Sequence, residues 1–394
     1  MAALFAEPMM PLSIPNLSIS FPAKVVFGNG TFAQLPDELQ RFLCRRVLFV
    51  TIEPLLSQVE PLVQKLEQQG IGAAIDTSIV QEPTFADYET VLQAAQTFDP
   101  DVVVGIGGGS VLDVAKLVAA QLDGEQTLPE IVGIGNLAGR RRKLICLPAT
   151  AGTGSEVSPN AILVDGSDHQ KKGIISPYLV PDVVLVDPLL TRSVPPAVTA
   201  ATGLDALTHC LEAYTNKFAH PFVDLWALDG VRRIAGHLVR AVQRGDDEQA
   251  RSEVAMGSML GGFCLGPVNT AGVHALSYPL GSTFHIAHGL SNALLLPHVM
   301  HFNLSASPER HAEIAVALGC AREADLTATA KKGIAKVYEL MAACGVPSRL
   351  RDLDIPEDAL PQMATDAMKI TRLLKNNPRH IGYEDAVAIY EAAY

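Results

Sequence analysis

Cysteine is scarce, and the six present (Cys44, Cys146, Cys210, Cys264, Cys320 and Cys344) are scattered and form no CxxC pair. That spacing argues against a disulfide framework and against a zinc-thiolate site, and fits reduced thiols in a core. Any metal must then be held by histidine and carboxylate. Long apolar runs are missing too: none reaches the roughly 18 residues a membrane-spanning helix needs. The opening MAALFAEPMMPLSIPNLSIS has no basic segment ahead of a hydrophobic one. A chain without leader or span is expected in the cytoplasm. Basic charge is in deficit, and the formal net charge of −12 repels polyanions at long range, so neither nucleic acid nor an anionic membrane is expected as a partner. Internal repeats and low-complexity tracts are absent.

What is present is apolar material, 48% of a 394-residue chain, enough for two cores. The first half alternates short β-branched runs with helical patterns. Arg46 to Thr51 (RVLFVT) reads as a strand, Leu55 to Gln69 and Tyr88 to Phe98 as helices, and Leu144 to Leu147 and Val183 to Val186 as further buried strands. Such alternation predicts a parallel sheet covered on both faces. Pro188, Pro195 and Pro196 mark a break, and the rest is rich in Ala and Leu with almost no strand-like run. The expected architecture is an α/β domain over residues 1–192 followed by an all-helical domain over 193–394.

In DVVVGIGGGSVLDVAK a strand over Val102 to Val104 runs into glycines, and a helix is expected from about Ser110. Successive glycines let the backbone approach a phosphate, which the free N–H groups of a helix start attract. Gly107, Gly108, Gly109, Ser110 and Asp113 are therefore assigned to a cofactor pyrophosphate or its surroundings. The loop follows an internal strand, and no acidic residue stands at the end of a strand about twenty positions on, so it departs from the usual dinucleotide fingerprint. A second loop, PATAGTGSEV, adds Thr150, Thr153 and Ser155, and two such loops suit a dinucleotide.

In TGLDALTHCLEAY, Asp205 and His209 stand four apart and share one helical face. Alone such a pair is more often an ordinary surface hydrogen bond than a metal site. The stretch HALSYPLGSTFHIAH adds three imidazoles, and one carboxylate with such partners suits Fe, Zn, Co or Ni better than Mg or Ca.

GGGSVLDVAK, TAGTGSEV, DALTHCLEAY, VHALSYPLG and AHGLSNALLLPHV, in this order, resemble the iron-containing (group III) alcohol dehydrogenase family, and the likeness extends from FPAKVVFGNG to NNPRHIGYEDA. The resemblance implies a dinucleotide-binding α/β domain, a helical domain of the dehydroquinate synthase-like type, and a metal between them, Fe2+ with Zn2+ as the alternative. It places the ligands at Asp205, His209, His274 and His288. It also implies hydride transfer between an alcohol, aldehyde or small hydroxy-acid substrate and a nicotinamide cofactor, in a homodimer or larger homo-oligomer.

Three positions depart from the family pattern. Tyr278 stands where the family has a non-ligand histidine beside the substrate; Ala287 replaces a proline; and Ile52, followed by Glu53, replaces an aspartate that meets the adenosine ribose. Glu53 is expected to accept from a ribose 2′-hydroxyl, favouring NAD with NADP as the alternative. Tyr278 and His285 are expected on the substrate side as catalytic groups. Mitochondrial hydroxyacid-oxoacid transhydrogenases, a branch of the family, resemble this chain in an HxxSYP context, so a transhydrogenase with tightly held nucleotide is the rival enzyme. A metal- and nucleotide-binding protein without catalysis is the rival outside enzymes.

Overall fold

A computed structural model describes residues 14–167 and 170–394; the first thirteen residues, most of the stretch read for a leader, lie outside them. The strands are β1 Lys24–Phe27, β2 Arg46–Val50, β3 Gly72–Asp76, β4 Val102–Gly107, β5 Gly133–Ile134, β6 Lys143–Pro148, β7 Asn160–Asp165, β8 Gln170–Ile175 and β9 Val183–Val186. Six form one sheet, all parallel, in the order β1-β9-β6-β4-β2-β3. The aliphatic runs favour this arrangement, since the four inner strands β9, β6, β4 and β2 are buried on both sides, while the edge strands β1 and β3 are only partly buried. Val47, Phe49, Val102, Val104, Ile145 and Leu147 feed one core, while Leu48, Val50, Val103, Leu144 and Cys146 feed the core on the opposite face. Helices α1 Leu35–Arg41, α2 Leu56–Gln68, α3 Phe85–Phe98, α4 Gly109–Gln121 and the short α5 Leu128–Ile131 belong to this half.

Two details differ from the sequence reading. Strand β4 continues through Gly105 and Gly107, which pair with Cys146 and Pro148 of β6, and α4 begins at Gly109. The ladder of the neighbouring strand carries the glycines beyond the point where their own propensity would end the strand. A second sheet, β5-β8-β7, was not anticipated; its hairpin pairs β7 and β8 antiparallel. One face of β7 is buried through Ala161 and Leu163, and the polar QKKGII of β8 carries no apolar run to announce it.

After Val186 the described residues contain helices and no strand: α6 Pro196–Thr215, α7 Pro221–Gln243, α8 Glu248–Leu265, α9 Gly272–Phe284, α10 His288–Asn303, α11 Pro308–Ala317, α12 Leu326–Ala343, α13 Leu360–Ala367, α14 Thr371–Leu374 and α15 Tyr383–Ala393. Helix α6 is the axis of this half, buried without interruption from Gly203 to Thr215. A helix enclosed on all sides must satisfy any polar side chain it carries from its neighbours, and α6 carries Asp205, His209 and Glu212. All six cysteines are free, five of them buried. No helix among the described residues is long and apolar enough to cross a membrane.

Candidate metal centre and nucleotide cleft

The C-terminal ends of β4 and β6, adjacent at the centre of the sheet, deliver the two glycine-bearing loops side by side, and Ala149 N–H donates to Gly107 O across them at 2.8 Å. This is where open parallel sheets bind ligands. Gly109 is required for the approach: a Cβ there would stand 2.6 Å from the Thr153 side chain of the second loop. A clamp behind the loops fixes their spacing. Lys116, fully buried on α4, donates to Ser155 O at 2.8 Å, Ser155 Oγ at 3.0 Å and Asn160 O. Asp113 accepts from Ser155 Oγ and from Ile162 N–H at 2.9 Å. Burial pushes the Asp113 carboxyl up and the Lys116 ammonium down, and their mutual attraction opposes both shifts.

Across the cleft, α6 projects Asp205 and His209 from one face. Helix α9 brings His274 and α10 begins at His288. Gly289 makes the meeting of α10 with α6 possible, because a Cβ there would fall 2.3 Å from the Ala201 carbonyl oxygen. The three imidazole Nε2 atoms converge on one carboxylate oxygen, with His274 3.6 Å, His288 3.8 Å and His209 3.9 Å from Asp205 Oδ1. Ligands about 2.1 Å from a shared tetrahedral ion stand roughly 3.4 Å apart, so the cluster is near the dimensions of a coordination sphere. Asp205, His209 and His274 are the compact, buried part of the group; His288, with its side chain 26% exposed, is the outer member.

Electrostatics agree for three of the four groups. Against the downward pull of burial, Glu212 and Asp205 push His274 up to about 9, so this ligand must give up its proton to an incoming ion. Burial alone would raise the Asp205 carboxyl, yet the surrounding histidines hold it below the ordinary carboxylate range. Burial lowers His209 and His288, the latter also through Lys171, so both favour the neutral ligand form.

Two residues the sequence reading passed over complete the centre. Glu212 accepts from His274 Nδ1 at 2.6 Å and from Val273 N–H at 2.6 Å, leaving Nε2 of His274 free to face the cluster. The Asn292 amide nitrogen lies 2.7 Å from Asp205 Oδ1, 3.1 Å from His274 Nε2 and 3.3 Å from His288 Nε2, while its oxygen is buried without a partner. Their helical spacing was the available signal: Glu212 is three residues after His209, and Asn292 four after His288. The donor set and its spacing fit a divalent ion.

Between the walls lies a cleft of about 820 Å³, toward the upper end of the ~300–1,000 Å³ typical of ligand sites. Gly108, Gly109, Ser110, Asp113, Thr150, Thr153 and Ser155 line it, as do Asp205, His209, His274, His288 and Tyr278. Gly107 stops short of it, ending strand β4. Two more of the expected residues lie outside the cleft lining. Glu53 opens an exposed turn after β2, and it is Ile52 that faces the cleft. His285 caps α9 in a left-handed conformation (φ 56°) where the chain reverses, and its ring is exposed outside the cleft.

A cleft lined on one side by two glycine loops and on the other by a buried Asp/His cluster fits the class of metal-dependent oxidoreductases. Residues 22–188 match the iron-containing alcohol dehydrogenase family and residues 199–394 match the C-terminal part of the Fe-containing alcohol dehydrogenase family. Long-chain-alcohol dehydrogenase 1 of Geobacillus thermodenitrificans (strain NG80-2) is 39% identical over 385 residues, covering 95% of this chain and 96% of that protein. The crystal structure of a 1,3-propanediol oxidoreductase superposes with a TM-score of 0.92 at 33% identity, over 96% of this chain and all of that one. Sulfoacetaldehyde reductase from Bifidobacterium kashiwanohense, solved in complex with NAD+, superposes with a TM-score of 0.85 at 26% identity, over 96% and 99% of the two chains. This chain belongs to the iron-containing alcohol dehydrogenase family and is an alcohol oxidoreductase.

Proposed function

We propose that a small alcohol is oxidised, or the corresponding carbonyl reduced, in the cleft between the glycine loops and the α6–α9–α10 cluster, with NAD along the loops and one divalent ion, Fe2+ or Zn2+, held by Asp205, His209, His274 and His288. The observation that carries this reading is the convergence of three Nε2 atoms on Asp205 Oδ1 within the same cleft that both loops line. In the oxidative direction the carbinol C–H leaves as hydride for an oxidised nicotinamide, the hydroxyl proton passes to solvent, and a carbonyl remains. An ion in this set supplies the positive charge that acidifies an alcohol hydroxyl or polarises a carbonyl.

The protein's own groups do the rest. Asp205 contributes the anionic donor. Glu212, by accepting from Nδ1, keeps His274 in the tautomer whose Nε2 lone pair faces inward. The N-terminal N–H groups of α4 face the pyrophosphate, Thr150 and Thr153 present hydroxyl groups beside it, and Ser155, whose hydroxyl donates to Asp113 and whose N–H donates to Thr153 Oγ1, holds the second loop in place. Tyr278 borders the substrate with its ring 6.2 Å from that of His288. NAD rather than NADP is supported by Ile52, Ile79, Val80 and Gln81 at the β2 end of the cleft, which offer no cation to a 2′-phosphate.

Residues 1–192 and 193–394 act as the two domains, an assignment supported by the end of β9 at Val186 and the start of α6 at Pro196. We place the enzyme in the cytoplasm, in keeping with its free cysteines. A homo-oligomer is supported by exposed Phe218, Phe222 and Leu225 near Trp226.

The test is absorbance at the nicotinamide band with an alcohol and aldehyde panel, both nicotinamide cofactors, and protein loaded with Fe2+, loaded with Zn2+ or stripped by chelator. Sustained metal-dependent turnover is expected. Turnover only of an equivalent of nucleotide that stays bound would mark the transhydrogenase instead, and none under any condition would leave a binding protein.

A further inference from the structure

The small sheet turns one face to the core and the other to the cleft. Along β7, Ala161 and Leu163 are buried in the core, Leu163 also reaching the cleft wall, while the less buried Ile162 and Val164 line the cleft. In the antiparallel register Ile162 pairs with Gly173 and Val164 with Lys171, so Lys171 and Gly173 share that cleft face.

Lys171 reaches inward. Its side chain is only 10% exposed, its ammonium lies 5.6 Å from the centre of the Tyr278 ring, and it pairs with Glu82, whose own side chain is half exposed. Gly173 lies against a second cation: a Cβ there would be in ordinary contact, 3.5 Å, with Arg372 Nη2. Arg372, from α14, also lines the cleft and is partly buried. Among the described residues no carboxylate, carbonyl or ring pairs with its guanidinium, whereas most of the chain's other arginines are committed to ion pairs or hydrogen bonds.

A partly buried guanidinium costs free energy unless something satisfies it. In a protein of net charge −12, Lys171 and Arg372 both line the cleft, with Glu82 beside Lys171 as their one carboxylate partner among the described residues, so this wall retains a cation in excess. Their position matters as much as their charge. Tyr278 adjoins both the metal cluster and Lys171, its ring 6.2 Å from that of His288 and 5.6 Å from the Lys171 ammonium. A molecule whose reacting oxygen lay at the metal cluster would extend past Tyr278 toward these cations.

We propose that Arg372 and Lys171 form an anion subsite, and that the substrates of this enzyme are short hydroxy acids and their aldehyde-acid counterparts, with the carboxylate a few carbons from the reacting carbon. This rests on the hydride-transfer reading above and names its substrate class. Arg372 supplies a planar donor fork to the carboxylate and Lys171 a second charge, while the apolar Ile162 and Val164 accommodate the intervening methylenes. Neutral alcohols of equal length leave the Arg372 guanidinium without an anionic partner and Lys171 with Glu82 alone.

The experiment compares kcat/KM for 3-hydroxypropanoate, 4-hydroxybutanoate and 5-hydroxypentanoate with that for 1-propanol, 1-butanol and 1-pentanol, in the parent, Arg372→Met, Arg372→Lys and Lys171→Met. The parent should prefer an acid over its matched alcohol by at least about tenfold, the size of one charge-assisted hydrogen bond. Arg372→Met should reduce that ratio by a similar factor through KM for the acid, and Arg372→Lys should restore part of it. Calorimetry of the metal- and nucleotide-loaded protein, free of turnover, should show butyrate binding more tightly than butyramide, and Arg372→Met should abolish the difference. A parent that prefers the alcohol at every length, or an unchanged ratio in both Met variants, overturns the subsite and leaves hydride transfer standing. Absence of nicotinamide reduction with every compound removes the hydride-transfer reading and the subsite with it.

Discussion

On the sheet side of the cleft, the groups that meet the ligand are mostly main chain: N–H groups at the start of α4 and short hydroxyl side chains on two glycine loops. On the helical side they are long, titratable side chains, drawn from helices far apart in sequence and aimed at one point. The first wall works by absence, since a Cβ at Gly109 would already collide with Thr153. The second works by presence, and each ligand needs a partner behind it, as His274 has in Glu212. Damage to the two walls should therefore be separable, the sheet side governing nucleotide and the helical side metal.

The sharpest break comes from His274→Ala. Metal content, measured on the purified protein, should collapse, and activity should fall further than the ~10–100-fold lost with an outer partner of a metal site. Full metal content would exclude His274 from the set. Glu212→Gln sits one step out: a metal-buffer competition should show affinity weakened by about 10–100-fold, with the fold intact by circular dichroism. Unaltered affinity would make Glu212 a packing residue only.

Gly109→Ala addresses the opposite wall. Forcing a methyl against Thr153 displaces the loop, at a cost of about 1–3 kcal/mol, so the nucleotide dissociation constant should rise roughly tenfold or more while the metal stays at parental content. Loss of both together would mean that the walls are not independent.

Tyr278→Phe removes one hydroxyl from the border between them. It should retain the metal and shift the relative kcat/KM across a substrate panel a few-fold, about what one hydrogen bond contributes. Parental kinetics on every substrate would reduce Tyr278 to packing.

The smallest effect is in acid stability. Burial, and next the charge of His301, hold the His298 imidazole down at about 4, and its Nε2 meets Tyr338 Oη at 3.1 Å. Unfolded, the ring takes up a proton near its ordinary value of about 6.5. The unfolded chain therefore binds more protons between those values, so the stabilisation is present above pH ~6.5 and is lost as pH falls toward 4. Melting temperatures of His298→Leu should decline less steeply than the parent's across that window. Equal slopes would show that other groups carry the acid response.

Legibility followed the same division. The sheet wall could be read almost directly, because strand, glycine turn and helix are consecutive in sequence and obey local rules. The error of a few residues at the end of β4 arose from pairing with β6, which is not local. Asp205 and His209 were legible as one helical face, and resemblance supplied His274 and His288. Glu212 and Asn292 lay at legible spacings but carried no meaning until α6, α9 and α10 were seen to meet.

Within this chain, then, local periodicity and turn chemistry sufficed for a parallel sheet, an all-helical second half, two loops for a dinucleotide, and an Asp/His face on one helix, because each depends on residues a few positions apart. Which side chain faces the cleft was decided only in three dimensions. Ile52 faces it and its neighbour Glu53 does not, because successive residues at a strand end point apart. His288 enters and His285 does not, because a left-handed residue reverses the chain between two helices. Lys171 and Arg372, two hundred residues apart in sequence, share one wall because a hairpin face and a short helix pack there, and contacts at that separation leave no periodic trace in the sequence.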